Sequence, residues 1–123
     1  MKISKLKEMF STEDETVYEI VGCSDELGGT KYHNIVQVLI PSGHSGGSHY
    51  HKVAEETYFI LKGEADIVIN GHCFKAMPGM MFSILPREIH DVINNTDNDF
   101  ELLAISAPAF SPEDSIDCEM PKT

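Results

Sequence analysis

The sequence predicts an all-β domain, either a barrel or a sandwich, and three features support this fold class. Short runs rich in valine, isoleucine, tyrosine and phenylalanine recur along the chain, and these residues favour strands. Nine glycines and six prolines among 123 residues provide frequent turns. The pair Asn70-Gly71 stands between two apolar runs, and both of its residues tolerate the positive φ of a two-residue hairpin. Many short strands divided by regular turns are typical of barrels and sandwiches.

The predicted strands follow one another from Thr16 onwards, with turn residues between them. Gly28-Gly29, Lys62-Gly63 and Pro78-Gly79 mark three of these turns. The strands are predicted at Thr16–Val21, Tyr32–Ile40, Glu56–Leu61, Ala65–Asn70, Met81–Leu85, His90–Asn94 and Phe100–Ile105.

Both ends of the chain depart from the strand pattern. Ile3, Leu6 and Phe10 have helix-like spacing, which predicts a short helix or a docking arm before the acidic stretch 11–15. Ser111 and Pro112 predict the start of a helix, because serine caps helices and proline suits their first position. We therefore expect short helical or extended segments at the two termini.

Composition restricts the class of partner. A formal net charge of −11 argues against nucleic acid and against anionic membrane surfaces, since both need a basic face. No stretch approaches the roughly 18 apolar residues of a membrane span. Cys23, Cys73 and Cys118 form no C-x-x-C pair, and the first fifteen residues contain no long apolar run. We therefore expect a cytoplasmic protein with reduced thiols and a small-molecule ligand.

A histidine pair is the clearest chemical signal in the sequence. His49 and His51 are two residues apart, so on a strand their imidazoles point to the same face and form half of a metal site. The four residues after His51 allow the chain to turn back, and Glu56 would then open the next strand beside the pair. Glu55 is the competing carboxylate. Neighbouring strand residues face opposite ways, so only one of the two can reach the metal, and we favour Glu56.

These residues resemble the first motif of the cupin superfamily. That motif is a glycine, five residues, His-x-His, three or four residues, a glutamate, six residues and a glycine. In this chain the anchors are Gly43, His49, His51, Glu56 and Gly63.

The segment 79–94 resembles the second cupin motif, with Pro86, His90 and Asn94 as its anchors. The family often has Pro-x-Gly-x-x-His, whereas here the interval from Pro86 to His90 is one residue shorter and lacks the glycine. Arg87 lies in that altered turn.

The resemblance implies a cupin double-stranded β-helix, that is, a jelly-roll barrel, in a small single-domain protein. The domain would span residues 1–123, with a barrel core at about 16–107, an N-terminal arm at 1–15 and a C-terminal tail at 108–123. It also implies a homodimer paired through a sheet edge.

The resemblance further implies one divalent metal ion bound by His49, His51, Glu56 and His90. This ligand set does not distinguish iron, manganese, nickel, cobalt, copper and zinc. The family's chemistry predicts a metal-dependent dioxygenase, decarboxylase or isomerase that acts on a small organic metabolite. A non-catalytic small-molecule-binding or sensor protein is the alternative. Tyr58 is a candidate catalytic residue that would line the pocket, with core packing as its other interpretation.

Overall fold

The structure, a computed structural model, describes residues 7–21 and 30–122, and their regular secondary structure is almost entirely strand. The only helical element in these ranges is a single 3₁₀ turn at Pro112–Asp114. Eleven strands occur in the described ranges: β1 Lys7–Ser11, β2 Thr16–Val21, β3 Asn34–Ile40, β4 His49–His51, β5 Glu55–Lys62, β6 Ala65–Ile69, β7 His72–Ala76, β8 Met81–Ile84, β9 His90–Ile93, β10 Phe100–Ala107 and β11 Ser115–Asp117.

The strands form two antiparallel sheets. The six-stranded sheet has the order β1-β2-β3-β10-β5-β8, and the five-stranded sheet has the order β11-β4-β9-β6-β7. Strands distant in sequence therefore become neighbours, as in the pairing of β10 with both β3 and β5. The predicted all-β class is confirmed.

The core lies between the inner faces of the two sheets. Side chains alternate along each strand, so β5 buries Glu56, Tyr58 and Ile60 while the residues between them face outwards. Ile67 of the opposite sheet and Phe100 are completely buried. Each such side chain contributes on the order of 1.5–3 kcal/mol through removal of its apolar surface from water. This apolar packing fixes the register that directs polar residues into the barrel.

Two glycines have backbone conformations that determine turns of the barrel. Asn70 and Gly71 both have positive φ, 49° and 86°, and join β6 to β7 as a two-residue hairpin, as predicted. Gly63 has φ 79°, and a Cβ at this position would overlap the carbonyl oxygen of Asp99. The last anchor of the first motif is therefore required by a close backbone approach.

The termini differ from the sequence-based expectation. Lys7–Ser11 is a strand paired with β2, so the helical alternative is wrong for these residues. Ile3, Leu6, Cys23 and Gly28-Gly29 lie outside the described residues. At the other end, the predicted helix is a single 3₁₀ turn, and the chain then continues as β11, which pairs with β4.

The predicted division into a core at 16–107, an arm at 1–15 and a tail at 108–123 stays a prediction. Within the described residues, no helix is long and apolar enough to cross a membrane.

Candidate metal centre

Two adjacent strands of the five-stranded sheet carry the three predicted histidine ligands. His49 and His51 lie on β4, and His90 opens β9. The register pairs His49 directly with His90. Because alternate residues share a face, His51 joins them on the inner side of the sheet, and the three ring centroids lie 4.3–5.6 Å apart.

The predicted carboxylate comes from the other sheet. Glu56 lies on β5, between β10 and β8, so it reaches the histidines from across the barrel. The expectation that Glu56 would lie on a strand beside the histidine pair is therefore wrong in topology, because the chain crosses to the opposite sheet within the turn 52–54. Glu56 is buried and Glu55 is exposed, so Glu56 is the carboxylate that the structure brings to the histidines.

The four side chains could hold a metal ion. Each offers one ligand atom, and these atoms all lie within 4.8 Å of one another. His51, Glu56 and His90 are buried and His49 is half-buried. Imidazole nitrogen and carboxylate oxygen suit several divalent transition metals.

Each imidazole has an acceptor near its Nδ1 atom. His90 Nδ1 donates to the Glu88 carbonyl oxygen at 2.9 Å, and His49 Nδ1 donates to the Gly47 carbonyl oxygen at 3.0 Å. His51 Nδ1 lies 3.7 Å from Asp114 Oδ2. In the neutral rings these contacts favour a proton on Nδ1, which leaves the Nε2 lone pair free as a metal ligand.

The atoms at the centre of the cluster are acceptors that face one another. His51 Nε2 and His90 Nε2 lie 2.8 and 3.2 Å from Glu56 Oε1, and with both rings neutral and their protons on Nδ1 these three buried atoms have no hydrogen-bond partner among the described residues. Two lone pairs facing a carboxylate would be costly unless a proton or a metal ion lies between them. Either bound protons or a metal ion can resolve this arrangement, so the donor set fits a metal.

The pKa values describe how protons occupy the cluster in the absence of metal. Burial acts to raise the pKa of Glu56, but hydrogen bonds and charge from His51 and His90 together lower it to about 2. Burial acts to lower the pKa of His51, but Glu56 and then Asp114 raise it above its usual value. Burial and the neighbouring His90 lower the pKa of His49. With Glu56 ionised and His51 protonated, a proton of the His51 ring therefore occupies the place that a cation would take.

A cavity of about 270 Å³ opens beside the cluster, and all four candidate ligands line it. Tyr58 also lines the cavity and packs edge-on against Phe82, with its ring centroid 6.1 Å from that of His90. Burial, with a smaller contribution from the charge of Glu56, raises the pKa of Tyr58 well above its usual value. Tyr58 thus packs in the core and faces the cavity, and its hydroxyl stays protonated. Its catalytic role stays a prediction.

The second motif has a structural role at two of its positions. Asn94 is completely buried and donates to the carbonyl oxygens of Ile40 and Asn98, while its own side-chain oxygen accepts from Thr96.

Arg87 has φ 69°, so it adopts the left-handed conformation in the turn where the family often has glycine. Its amide donates to the His51 carbonyl oxygen at 2.7 Å, which ties this turn to β4.

Sequence reasoning missed several carboxylates around the site, among them Asp114 and Glu15. Asp114 accepts from the amides of Val53 and Ala54 and lies near His51, although it is 60 residues from Ala54 in sequence. Glu15 lines the cavity from the turn before β2. Neither residue belongs to a ligand motif, and the sequence placed Asp114 only at the start of the predicted C-terminal helix.

Comparison with known proteins connects this site to a family. A family model described as the cupin domain matches residues 36–106, which include all four candidate ligands. A comparison with curated proteins gives no significant match.

Solved structures with the same architecture are numerous. One is a conserved protein with a double-stranded β-helix domain from Klebsiella pneumoniae, 19% identical over 89% of each chain with a TM-score of 0.75. The polyketide cyclase RemF from Streptomyces resistomycificus is 16% identical over 96% of this chain and 84% of that chain, with a TM-score of 0.73.

Pac13 from Streptomyces, a nucleoside dehydratase, is 17% identical over 95% of this chain and 88% of that chain, with a TM-score of 0.72. Variants of Pac13 have structures with uridine. At these identities the likeness establishes the double-stranded β-helix fold alone.

Proposed function

This chain belongs to the cupin family, and on that premise we propose that it is a metal-dependent enzyme acting on a small organic metabolite inside its barrel. The observation that carries the proposal is the convergence of His49, His51, Glu56 and His90 on one point in the wall of an open cavity. Convergence of four ligand atoms within 4.8 Å is costly unless a proton or a metal ion is bound there, and a divalent ion can accept all four at once.

One divalent ion with these four ligands is the proposed cofactor. Iron, manganese, nickel, cobalt, copper and zinc all accept this donor set. A bound ion of this kind supplies Lewis-acid or redox chemistry to a molecule in the cavity. The family background favours a dioxygenase, decarboxylase or isomerase reaction, while proteins of the same fold include a dehydratase and a cyclase.

The protein's own residues prepare the site in three ways. The carbonyl groups of Glu88 and Gly47 orient two of the rings, as described above. Apolar side chains such as Val38 and Leu102 line the cavity and limit the access of water to it. Tyr58 lines the cavity with a hydroxyl that stays protonated, and it is the candidate catalytic residue, proposed to donate a hydrogen bond to a bound molecule.

Metal content and turnover of matched histidine variants test the proposal. We expect protein purified without added metal to contain about one divalent ion per chain by elemental analysis. The substitution His51→Ala should lower metal occupancy at least about tenfold, because it removes a ligand. His72→Ala is the matched control, since His72 is exposed on β7, outside the cluster.

The same samples are screened for turnover of small acids, diols and hydroxy-ketones. The enzyme assignment predicts turnover that is lost in His51→Ala and kept in His72→Ala. Metal-dependent binding of a molecule that is released unchanged would instead favour a non-catalytic binding protein. An equal metal content in the two variants would contradict the metal site itself.

We also propose that the protein forms a homodimer, through a sheet face rather than through the sheet edge that the resemblance implies. Support comes from the outer face of the six-stranded sheet, where Met81 pairs with Phe59 and Phe59 with Leu103. Met81 is 65% exposed, and Ile105 and Leu61 on the same face are also exposed. A contiguous apolar sheet face is typical of an interaction surface, and a second copy would cover it.

A further inference from the structure

We propose that Glu15 contacts the substrate in the cavity, and that it selects an uncharged, hydroxyl-bearing molecule over an organic anion. This inference rests on the proposed function, because it concerns the molecule that shares the cavity with the candidate metal centre. It assigns a role to a carboxyl group that is not part of the four-ligand cluster.

Hydrogen bonds within the turn at residues 12–15 position Glu15 at the cavity. Thr12 Oγ1 accepts from the amides of Asp14 and Glu15 at 3.1 and 3.2 Å, and the Thr12 amide donates to the Glu15 carbonyl oxygen at 2.8 Å. Asp14 Oδ1 lies 3.0 Å from His44 Nδ1, which ties this turn to the loop before β4. The position of Glu15 is therefore fixed by contacts that leave its carboxyl group out.

The carboxyl group itself lies over a glycine in the cavity wall. A Cβ added at Gly46 would lie 3.3 Å from Glu15 Oε2, so the absence of a side chain there makes room for the carboxyl group. Both residues line the cavity. Within residues 7–21 and 30–122, the Glu15 carboxyl group makes no hydrogen bond or ion pair, so its oxygens are available to a ligand.

The groups around Glu15 are acidic or neutral. Asp14 on its own turn, Asp91 on β9 and Tyr58 on β5 interact with it electrostatically. Burial first, and then the charges of Asp14 and Asp91, raise the pKa of Glu15 from 4.5 to about 7. Near neutral pH the group can thus donate a hydrogen bond when protonated and accept one when ionised, and a hydroxyl group can meet both needs.

The charge of the cavity excludes anions. Its lining contains the carboxylates of Glu15, Glu56, Asp91 and Asp117, and none of the lining residues is lysine or arginine. When all four are ionised, they outnumber the charge of one divalent ion. An organic anion would meet net repulsion, while a cation would meet the bound metal, so an uncharged polar molecule is the best fit.

An isosteric pair of probes tests this inference. Mandelamide and mandelate have the same shape and both carry a hydroxyl group, but only mandelate is an anion. Their dissociation constants are measured by calorimetry on the metal-containing protein between pH 5.5 and 8.5, at pH values where elemental analysis shows an unchanged metal content, and the ratio of the two constants is followed. Using the ratio cancels effects of pH that are common to both probes.

We expect mandelamide to bind more tightly, with a preference that increases about tenfold as Glu15 ionises around pH 7. We call this pH-dependent increase in the preference for mandelamide the pH step. In Glu15→Gln the pH step should disappear. In Glu13→Gln, which removes a charge from the same turn at an exposed position, the step should remain. Gly46→Ala is a second variant, whose methyl group should displace the Glu15 carboxyl group and reduce the step without removing the charge.

Three results would overturn the inference: no binding of mandelamide, equal binding of both probes, or a pH step that survives in Glu15→Gln. Elemental analysis of the same samples reports separately on the proposed metal site. A protein without metal that still shows the step would refute the proposed enzyme and leave the role of Glu15 standing.

Discussion

His51 and Glu56 face each other inside the barrel, with 2.8 Å between Nε2 and Oε1. Their side chains are 7% and 10% exposed, so solvent screens this contact weakly. In the metal-free protein a proton stabilises the pair, and in the metal-loaded protein the ion would replace that proton. Metal and proton therefore compete for the same pair of residues.

This competition predicts that metal is lost at low pH. Glu56 and Asp114 raise the pKa of His51, so its proton is bound more tightly than an ordinary imidazole proton, and bound histidines must be neutral. As pH falls through about 7 to 5, protons should displace the metal. Elemental analysis after equilibrium dialysis measures this loss, and full metal content at about pH 4 would contradict histidine ligation.

The sequence predicted the four candidate ligands that the structure brings together, because each belongs to a motif with a local spacing. Two histidines at i and i+2 share a strand face whatever the rest of the fold does. Asp114 could not be found in this way, because its contact with the turn after β4 spans 60 residues and depends on the path of the C-terminal segment. Arg87 shows the same limit, because its left-handed conformation follows from the shortened turn rather than from its own preference.

At the scale of elements, the 3₁₀ turn and β11 form one C-terminal segment, Pro112–Asp117, that binds β4 and is called the clasp below. Ser115, Ile116 and Asp117 pair with His51, Tyr50 and His49. The preceding residue, Asp114, accepts from the amides of Lys52, Val53 and Ala54 with its carbonyl and carboxylate oxygens. The clasp therefore fixes both the strand that carries two histidines and the turn that leads to Glu56.

Removing the carboxylate of the clasp should weaken both folding and metal binding. Asp114→Ala leaves two amides without their acceptor, which costs about 1–3 kcal/mol in the free energy of unfolding. It also removes the partner of His51, with an expected loss of about 10- to 100-fold in metal affinity. Urea unfolding and chelator competition measure the two effects.

Glu113→Ala is the matched control for this prediction. Glu113 lies on the same turn but is exposed, and its carboxylate interacts with Ser111 rather than with the turn after β4. If both variants lose stability and metal affinity equally, the clasp does not have the role assigned to it.

Element prediction from sequence succeeded where a strand is apolar and failed where it is polar or has only three residues. The predicted strands from Thr16 onwards correspond to β2, β3, β5, β6, β8, β9 and β10 within a few residues. β11 has three residues and exists because β4 offers it a partner, and β7 is rich in polar side chains. Such strands depend on tertiary pairing, which local propensity does not record.

At the scale of the whole molecule, the outer face of the six-stranded sheet predicts a dimer that charge can disrupt. Light scattering should show a dimer for the wild-type protein. Met81→Lys should shift the protein towards a monomer, because it places a charge in the apolar face. Val53→Lys is the control, since Val53 is 65% exposed but lies in the turn after β4. A wild-type monomer, or equal effects of the two variants, would contradict this interface.

The barrel as a whole explains why ligands from two sheets meet at one point. β4 and β9 lie in one sheet and β5 in the other, and the apolar core between them sets the distance across which Glu56 reaches the histidines. The local motif predicted which residues meet, while the pairing of distant strands determined that they meet across the barrel. A single bound ion would thus join the two sheets as well as serve the cavity.

Anomalous X-ray scattering from crystals of protein purified without added metal tests the central claim most directly. The account predicts one strong peak, about 2.0–2.2 Å from a nitrogen of His49, His51 and His90 and from a carboxylate oxygen of Glu56. Crystals with well-ordered side chains and no peak at this point, or a metal bound only by other residues, would contradict it.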